Sequence, residues 1–367
     1  MSGIMLMLVG GSTLEPTPPK DLYSWGNNLY GGLGQGNTTD YSSPVQVGAL
    51  TTWDKTSSGV WTTYATKTDG TLWAWGYNYN GQLGQGNTTD YSSPVQVGAL
   101  TTWLTPAAGQ FFSLATKTDG TLWGWGQGAN GQLGQNSSDS YSSPVQVGAL
   151  TTWSKVACGD STSIAIKTNG TLWGWGKNQY GEAGTGTYAW LPVQVGALTT
   201  WDKISCGAEH GLAIKTNGTL WAWGRNNYGQ LGLGDISNRY SPVQVGALTT
   251  WLTISGTQYV SFATKTDGTL WAWGYNGYGG LGQGNTTHYS SPVQVGALTT
   301  WLTVSGVHAS TFATKTDGTL WAWGSNYFGQ LGQGNTTDYS SPVQVGALTT
   351  WSKATGQANA VVATSFA

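Results

Sequence analysis

In Thr71-Leu72-Trp73-Ala74-Trp75-Gly76 apolar residues occupy both parities of the chain. In an extended segment Trp73 and Trp75 point to one face, and Leu72 and Ala74 to the other. Both faces are then apolar, which suits a short strand buried on both sides with large rings set against small Ala or Gly. The pattern recurs, its second Trp falling at Trp25, Trp75, Trp125, Trp175, Trp223, Trp273 and Trp323, a period of 50 residues with one step of 48. No stretch sustains apolar spacing at three and four, so no amphipathic helix is predicted. Each unit instead reads as four extended segments divided by turn chemistry. In one unit they are roughly Ser154 to Cys158, Thr162 to Lys167, Thr171 to Gly176 and Pro192 to Val195. Asn169-Gly170 and runs of glycine supply the positive φ that tight hairpins need.

Units of this length with no linker between them predict an array of small sheets, not independent domains. The ends of the chain predict how the array closes. The tetrapeptide PVQV occurs seven times, from Pro44 to Val345, but the KTDG or KTNG turn only six times, from Lys67 to Gly318. After Trp351 the sequence SKATGQANAVVATSFA matches the first two strands of a unit and stops, while Leu22-Tyr23-Ser24-Trp25-Gly26 supplies only the last two. The expectation is an all-β, seven-bladed β-propeller of four-stranded blades over residues 21–367, closed by pairing N- and C-terminal strands in one shared blade. Buried Trp rings, each removing on the order of 200 Å² from water, can stand in for a conventional core.

The segment SCGAEHGLAIKTNGTLWAWGRNNYGQLGLGD, Ser205 to Asp235, resembles the repeat of the regulator-of-chromosome-condensation family. Its C-G-x-x-H, D/N-G, W-G and G-Q-L-G elements occur in order and in several copies. The resemblance implies a seven-bladed propeller, on which many functions have been built. Nucleotide exchange, the role of the founding member, is tied in that protein to acidic and hydrophobic contacts on one face and a wedge-like insertion, and its place on chromatin to a basic tail. Here every unit keeps its length within two residues and no basic tail occurs. The nearly identical, charge-poor repeats are most similar to tandem-repeat members from bacteria and phages. That likeness implies a surface or attachment component of a virion-like particle, presenting loops for protein or glycan contact. A soluble inhibitor or receptor-type module is the competing reading.

Charge narrows the partners. Only 8% of residues are charged and the formal net charge is −2, which argues against nucleic acid held by a basic face. Catalysis is not expected either: of three His, His210 reads as a packing residue of the repeat, His288 as a solvated loop residue, and His308 stands without a Ser, Cys or carboxylate at motif spacing. The loop LGQGNTTD lacks the Lys and the following helix of a phosphate cradle, and its single carboxylate makes a poor metal site. No cofactor and no metal is expected. Cys158 and Cys206 hold equivalent places in neighbouring units, as two buried thiols or as a bridge.

Where scaffold positions repeat almost letter for letter, differing positions are free of the demands of the fold. One variable set lies between the first and second strands and includes Trp61, Phe111, Phe112, Glu209, His210, Tyr259 and His308. These turns ring one face of a propeller, and the rings at Trp61, Phe111, Phe112 and Tyr259 act either as an interface hot spot or as plugs between blades. A second set follows the WG pair, as at Asn78 to Asn80 and Asn326 to Phe328, and reads as ordinary turns or as recognition loops. Trp190 lies in the most divergent loop and offers an asymmetric contact. Residues 1–20 carry an apolar run, Ile4, Met5, Leu6, Met7, Leu8 and Val9, too short for a membrane span and preceded by no cation. The run reads as a tail that docks on a partner protein in a larger assembly, or as one folded onto its own domain.

Overall fold

The computed structural model describes residues 20–357 and 359–366; the expected docking run from Ile4 to Val9 lies outside them. Seven four-stranded antiparallel sheets form the blades of a propeller. Blade one is Trp53–Gly59, Thr62–Lys67, Leu72–Gly76 and Tyr91–Gln96, from the inner strand to the outer. Blades two to six begin at Trp103, Trp153, Trp201, Trp251 and Trp301. Blade seven takes Trp351–Gln357 and Ala360–Phe366 from one end of the chain and Lys20–Gly26 and Tyr41–Gln46 from the other. Lys20 through Gly26 pair continuously with Phe366 through Ala360, so the ring is closed by a full ladder of hydrogen bonds. The outer strands carry proline, as at Pro94, where a missing N–H on an edge costs least. No helix among the described residues is long and apolar enough to cross a membrane.

The alternation in the WAWG strand sets how blades stack. Trp75 is fully buried and packs with Leu22, Val47 and Val362 of blade seven, while Leu72 and Ala74 on the opposite face meet Trp103 and Trp125 of blade two. Each such Trp also donates its indole N–H across the seam. Trp75 bonds Gly32 O at 2.9 Å, Trp125 bonds Gln82 O at 2.7 Å, and Trp25 of the closing blade bonds Gln330 O at 2.7 Å. All seven seams carry this clasp, so the chain's two ends are joined by the same interaction as any neighbouring pair of blades.

Away from these clasps a lysine lies between two indoles. Lys67 Nζ stands 3.7 Å from the centroid of Trp73 and 5.0 Å from that of Trp53, and Lys117, Lys167, Lys215, Lys265 and Lys315 repeat the arrangement. The π faces attract the ammonium, and burial holds these lysines below their ordinary pKa. Blade seven has Ser365 at this place, and Tyr23 packs edge-on against Trp351 at 5.2 Å.

Candidate functional site

The turn between the first and second strands of each blade and the loop after WG emerge on the same face. A backbone bond ties them together: Tyr77 N–H donates to Trp61 O at 3.0 Å, Arg225 N–H to Glu209 O at 2.8 Å and Tyr275 N–H to Tyr259 O at 3.0 Å. The two variable sets of the sequence therefore lie side by side in seven pairs around the channel mouth. Their chemistry divides the face into sectors.

Blades seven, one and two build an aromatic cluster. Tyr30 lies 5.0 Å from Trp61 and 4.8 Å from Tyr77, and Tyr77 reaches Phe111 at 6.1 Å and Tyr79 at 6.4 Å. Trp61 holds φ of +57°, a conformation that bulky side chains seldom adopt, and Tyr79 is 74% exposed. A second cluster joins Tyr228, Tyr259 and Tyr275 at centroid distances of 5.1 to 6.4 Å, with His288 4.7 Å from Tyr275. A cavity of about 200 Å³ opens among Tyr228, Gln258, Tyr259, Tyr275, Tyr278 and His308.

Between the clusters lies a charged sector. Glu209 accepts from Lys177 Nζ at 2.8 Å and from Arg225 Nη1 at 2.5 Å. The Arg225 guanidinium sits 5.0 Å over Tyr180 and 5.5 Å from the centroid of Tyr259, joining this sector to the second cluster. Asp160 faces the channel mouth, a cavity of about 320 Å³ that is also lined by Gln110, Gln258 and His308. Burial, with the negative charge of Glu209 second, pushes Asp160 up to about 6. The mouth thus holds an acceptor that takes up or releases a proton near neutral pH.

Trp61, Phe111, Glu209, Tyr259 and His308 come together on this face. Phe112 and His210 do not. Phe112 is 1% exposed within the core of its blade, and His210 is 2% exposed, with Nε2 paired to Ser261 Oγ at 2.9 Å across the seam. Burial lowers His210 to about 4, so its ring is neutral. Trp190 lies apart, on an outer strand at the rim, 5.8 Å from Tyr188. His288 takes the place of Asp90 and Asp338, its Nδ1 accepting from Asn276 N–H at 2.9 Å as those carboxylates accept from Asn78 and Asn326. Cys158 and Cys206 are unbridged thiols on neighbouring inner strands, and burial raises the pKa of both. Among the described residues no cluster of three or more His, Cys, Asp and Glu forms a metal site.

Lys177 and Arg225, the cations that pair with the expected Glu209, were not among the expected site residues. The signal was present: Lys177 and Arg225 are the two cations in the slot after WG, and that slot contacts the turn that carries Glu209.

The fold is shared with solved structures at low identity. Prp20p from Saccharomyces cerevisiae superposes with a TM-score of 0.85 at 18% identity, over 95% of this chain and 92% of that one. That structure was described together with its binding properties to Gsp1p and histones. Human WBSCR16 superposes with a TM-score of 0.84 at 19% identity, over 94% of this chain and 98% of that one. No curated protein sequence matches the chain. Models of the regulator of chromosome condensation (RCC1) repeat match residues 21–65, 69–116 and 53–82, and the model of the RCC1-like domain matches residues 101–366. With most of its length matched in this way, the chain belongs to the RCC1-like domain family.

Proposed function

We propose that the chain is a non-enzymatic binding propeller that holds a protein or glycan ligand on its loop face, as a surface component of a phage or other virion-like assembly. One observation carries the reading. At the centre of the two clusters the pairs Trp61/Tyr77 and Tyr259/Tyr275 occupy positions that blade six fills with Ala309 and Ser325, so the scaffold closes without rings at those pairs. Tyr and Trp offer rigid amphipathic contact area at little entropic cost, and the charged sector adds directional donors and acceptors beside them. Protein binding described for yeast Prp20p is a precedent for the use of such a propeller as a docking platform. Near-identical repeats and few charges support the particle setting.

The test is to apply the purified chain to panels of immobilised surface glycans and envelope proteins beside Tyr228→Ser/Tyr259→Ser. Saturable binding that the double variant loses is expected, together with recovery of the chain from purified particles. Binding unaffected by the variant refutes the site, and absence from particles refutes the setting.

A further inference from the structure

At the channel end opposite the loop face, lysines of the inner strands share one interaction. Lys55 donates to Leu104 O at 2.9 Å, Lys203 to Leu252 O at 2.7 Å, and Lys155 to Asp202 O. Each acceptor is the residue after the first Trp of the next blade's inner strand. By this rule Lys353 of blade seven should donate to Asp54 O. That oxygen instead accepts from Lys20 Nζ at 3.3 Å, and the Lys20 ammonium also stands 3.9 Å from the Asp54 carboxylate. Lys20 intrudes because blade seven takes its third strand from the other end of the chain; the corresponding residue of blade one is Gly70. Lys353 is left without a hydrogen bond or ion pair among the described residues.

Lys20, Lys55 and Lys353 line one cavity of about 530 Å³, where the hydroxyls of Thr56 and Thr355 lie 3.0 Å apart. Three lysines thus line this cavity against a single acidic residue, Asp54, in a chain whose charges are otherwise sparse. Burial holds Lys55 below the ordinary lysine pKa, with the Asp54 carboxylate opposing it and Lys20 a smaller depressing charge. Lys353 is exposed to the water of the channel, so a solute can reach it.

We propose that this end of the channel is an oxyanion site that takes a compact divalent anion of the phosphate class, held by Lys20, Lys55 and Lys353 with Thr56 and Thr355 as hydroxyl donors. A dianion balances the surplus of two positive charges and gives the stranded ammonium of Lys353 a charge-assisted partner. The site is independent of the loop face, and its failure would leave that reading untouched.

Titration calorimetry of the full chain with inorganic phosphate, against acetate at equal ionic strength, tests the proposal. One saturable phosphate site is expected, with acetate at least about tenfold weaker. Lys353→Gln should weaken phosphate by about tenfold or more, whereas Lys155→Gln, whose ammonium pairs with Asp202, should leave it unchanged. Should Lys353→Gln fail to fold by circular dichroism, Lys20→Gln replaces it with the same expectation. Absence of saturable binding, equal affinity for acetate, or full affinity in a folded variant overturns the proposal. Glu15 is the one carboxylate among residues 1–19. Phosphate binding that appears only after Glu15→Gln would assign the site to the chain's own side chain and overturn an external ligand.

Discussion

Replacing Asp160 with Asn isolates what the channel mouth costs the fold. The backbone N–H of Asp160 donates to Ala208 O at 3.0 Å, fixing the side chain beside the mouth, where burial and then Glu209 raise its pKa from 3.8 to about 6. A gap of about two units corresponds to roughly 3 kcal/mol at 1.36 kcal/mol per unit. Water enters the open mouth and screens the charge, so about half of that, ~1.5 kcal/mol, is a fair expectation. Because the folded pKa is raised, this contribution to stability is complete below about pH 4 and is lost as pH rises through 6. Asn suffers no such loss. Urea unfolding at a series of pH values should therefore show Asp160→Asn level with the parent near pH 4 and about 1.5 kcal/mol more stable at pH 8. A gap that does not change with pH, or a parent more stable at pH 8, would contradict the raised pKa and point to a cation such as Lys177, whose charge favours the carboxylate, holding the ionised form in place.

The remaining predictions concern the seams and the thiols. Glu182 is 1% exposed and accepts from Tyr180 N–H at 2.7 Å, as Gln132 and Gln230 accept in sister loops, and burial raises its pKa. Glu182→Gln should add about 1 kcal/mol at pH 8 by urea unfolding, the gain shrinking as pH falls through the raised pKa. Trp25→Phe strands the Gln330 carbonyl and should cost about 1 to 3 kcal/mol, more than Trp273→Phe, because Ser261 Oγ still donates to the Gln230 carbonyl at 2.7 Å while Val361, at the same place in the closing blade, offers no donor. Cys158 and Cys206 should react with a thiol reagent at pH 8 at least about tenfold more slowly in the native protein than in urea, since burial disfavours both thiolates.

Repetition made the scaffold legible. Apolar residues on both parities of the WAWG strand predicted burial on both faces, and the incomplete units at the two ends predicted the shared blade that the ladder from Lys20 to Gly26 completes. The outer strand expected from Pro192 begins at Ala189, because an edge strand tolerates the proline within it. Variation between repeats was a weaker guide to the site. Phe112 and His210 vary because they open the second strand, where Thr62, Thr162, Val260, Ser310 and Ala360 are also buried. Variation there reflects different packing partners, not exposure. Period and spacing alone do not display Lys177 and Arg225 as site residues, because the ion pairs that unite them with Glu209 cross strands and blades.

The proposed function requires that rings on the loop face serve a ligand and not the fold. Blade six supplies the control, since its Ala309 and Ser325 occupy the paired positions without a ring. The decisive measurement grafts that pair onto blades one and five, as Trp61→Ala/Tyr77→Ser and Tyr259→Ala/Tyr275→Ser, and follows urea unfolding beside ligand binding. Each graft should cost about 2 kcal/mol or less, the propeller should stay folded, and binding should be lost. Losses of about 3 kcal/mol or more for each ring, the size seen when core aromatics are truncated, or binding that survives both grafts in a folded protein, would show that the rings plug the seams and that the ligand binds elsewhere.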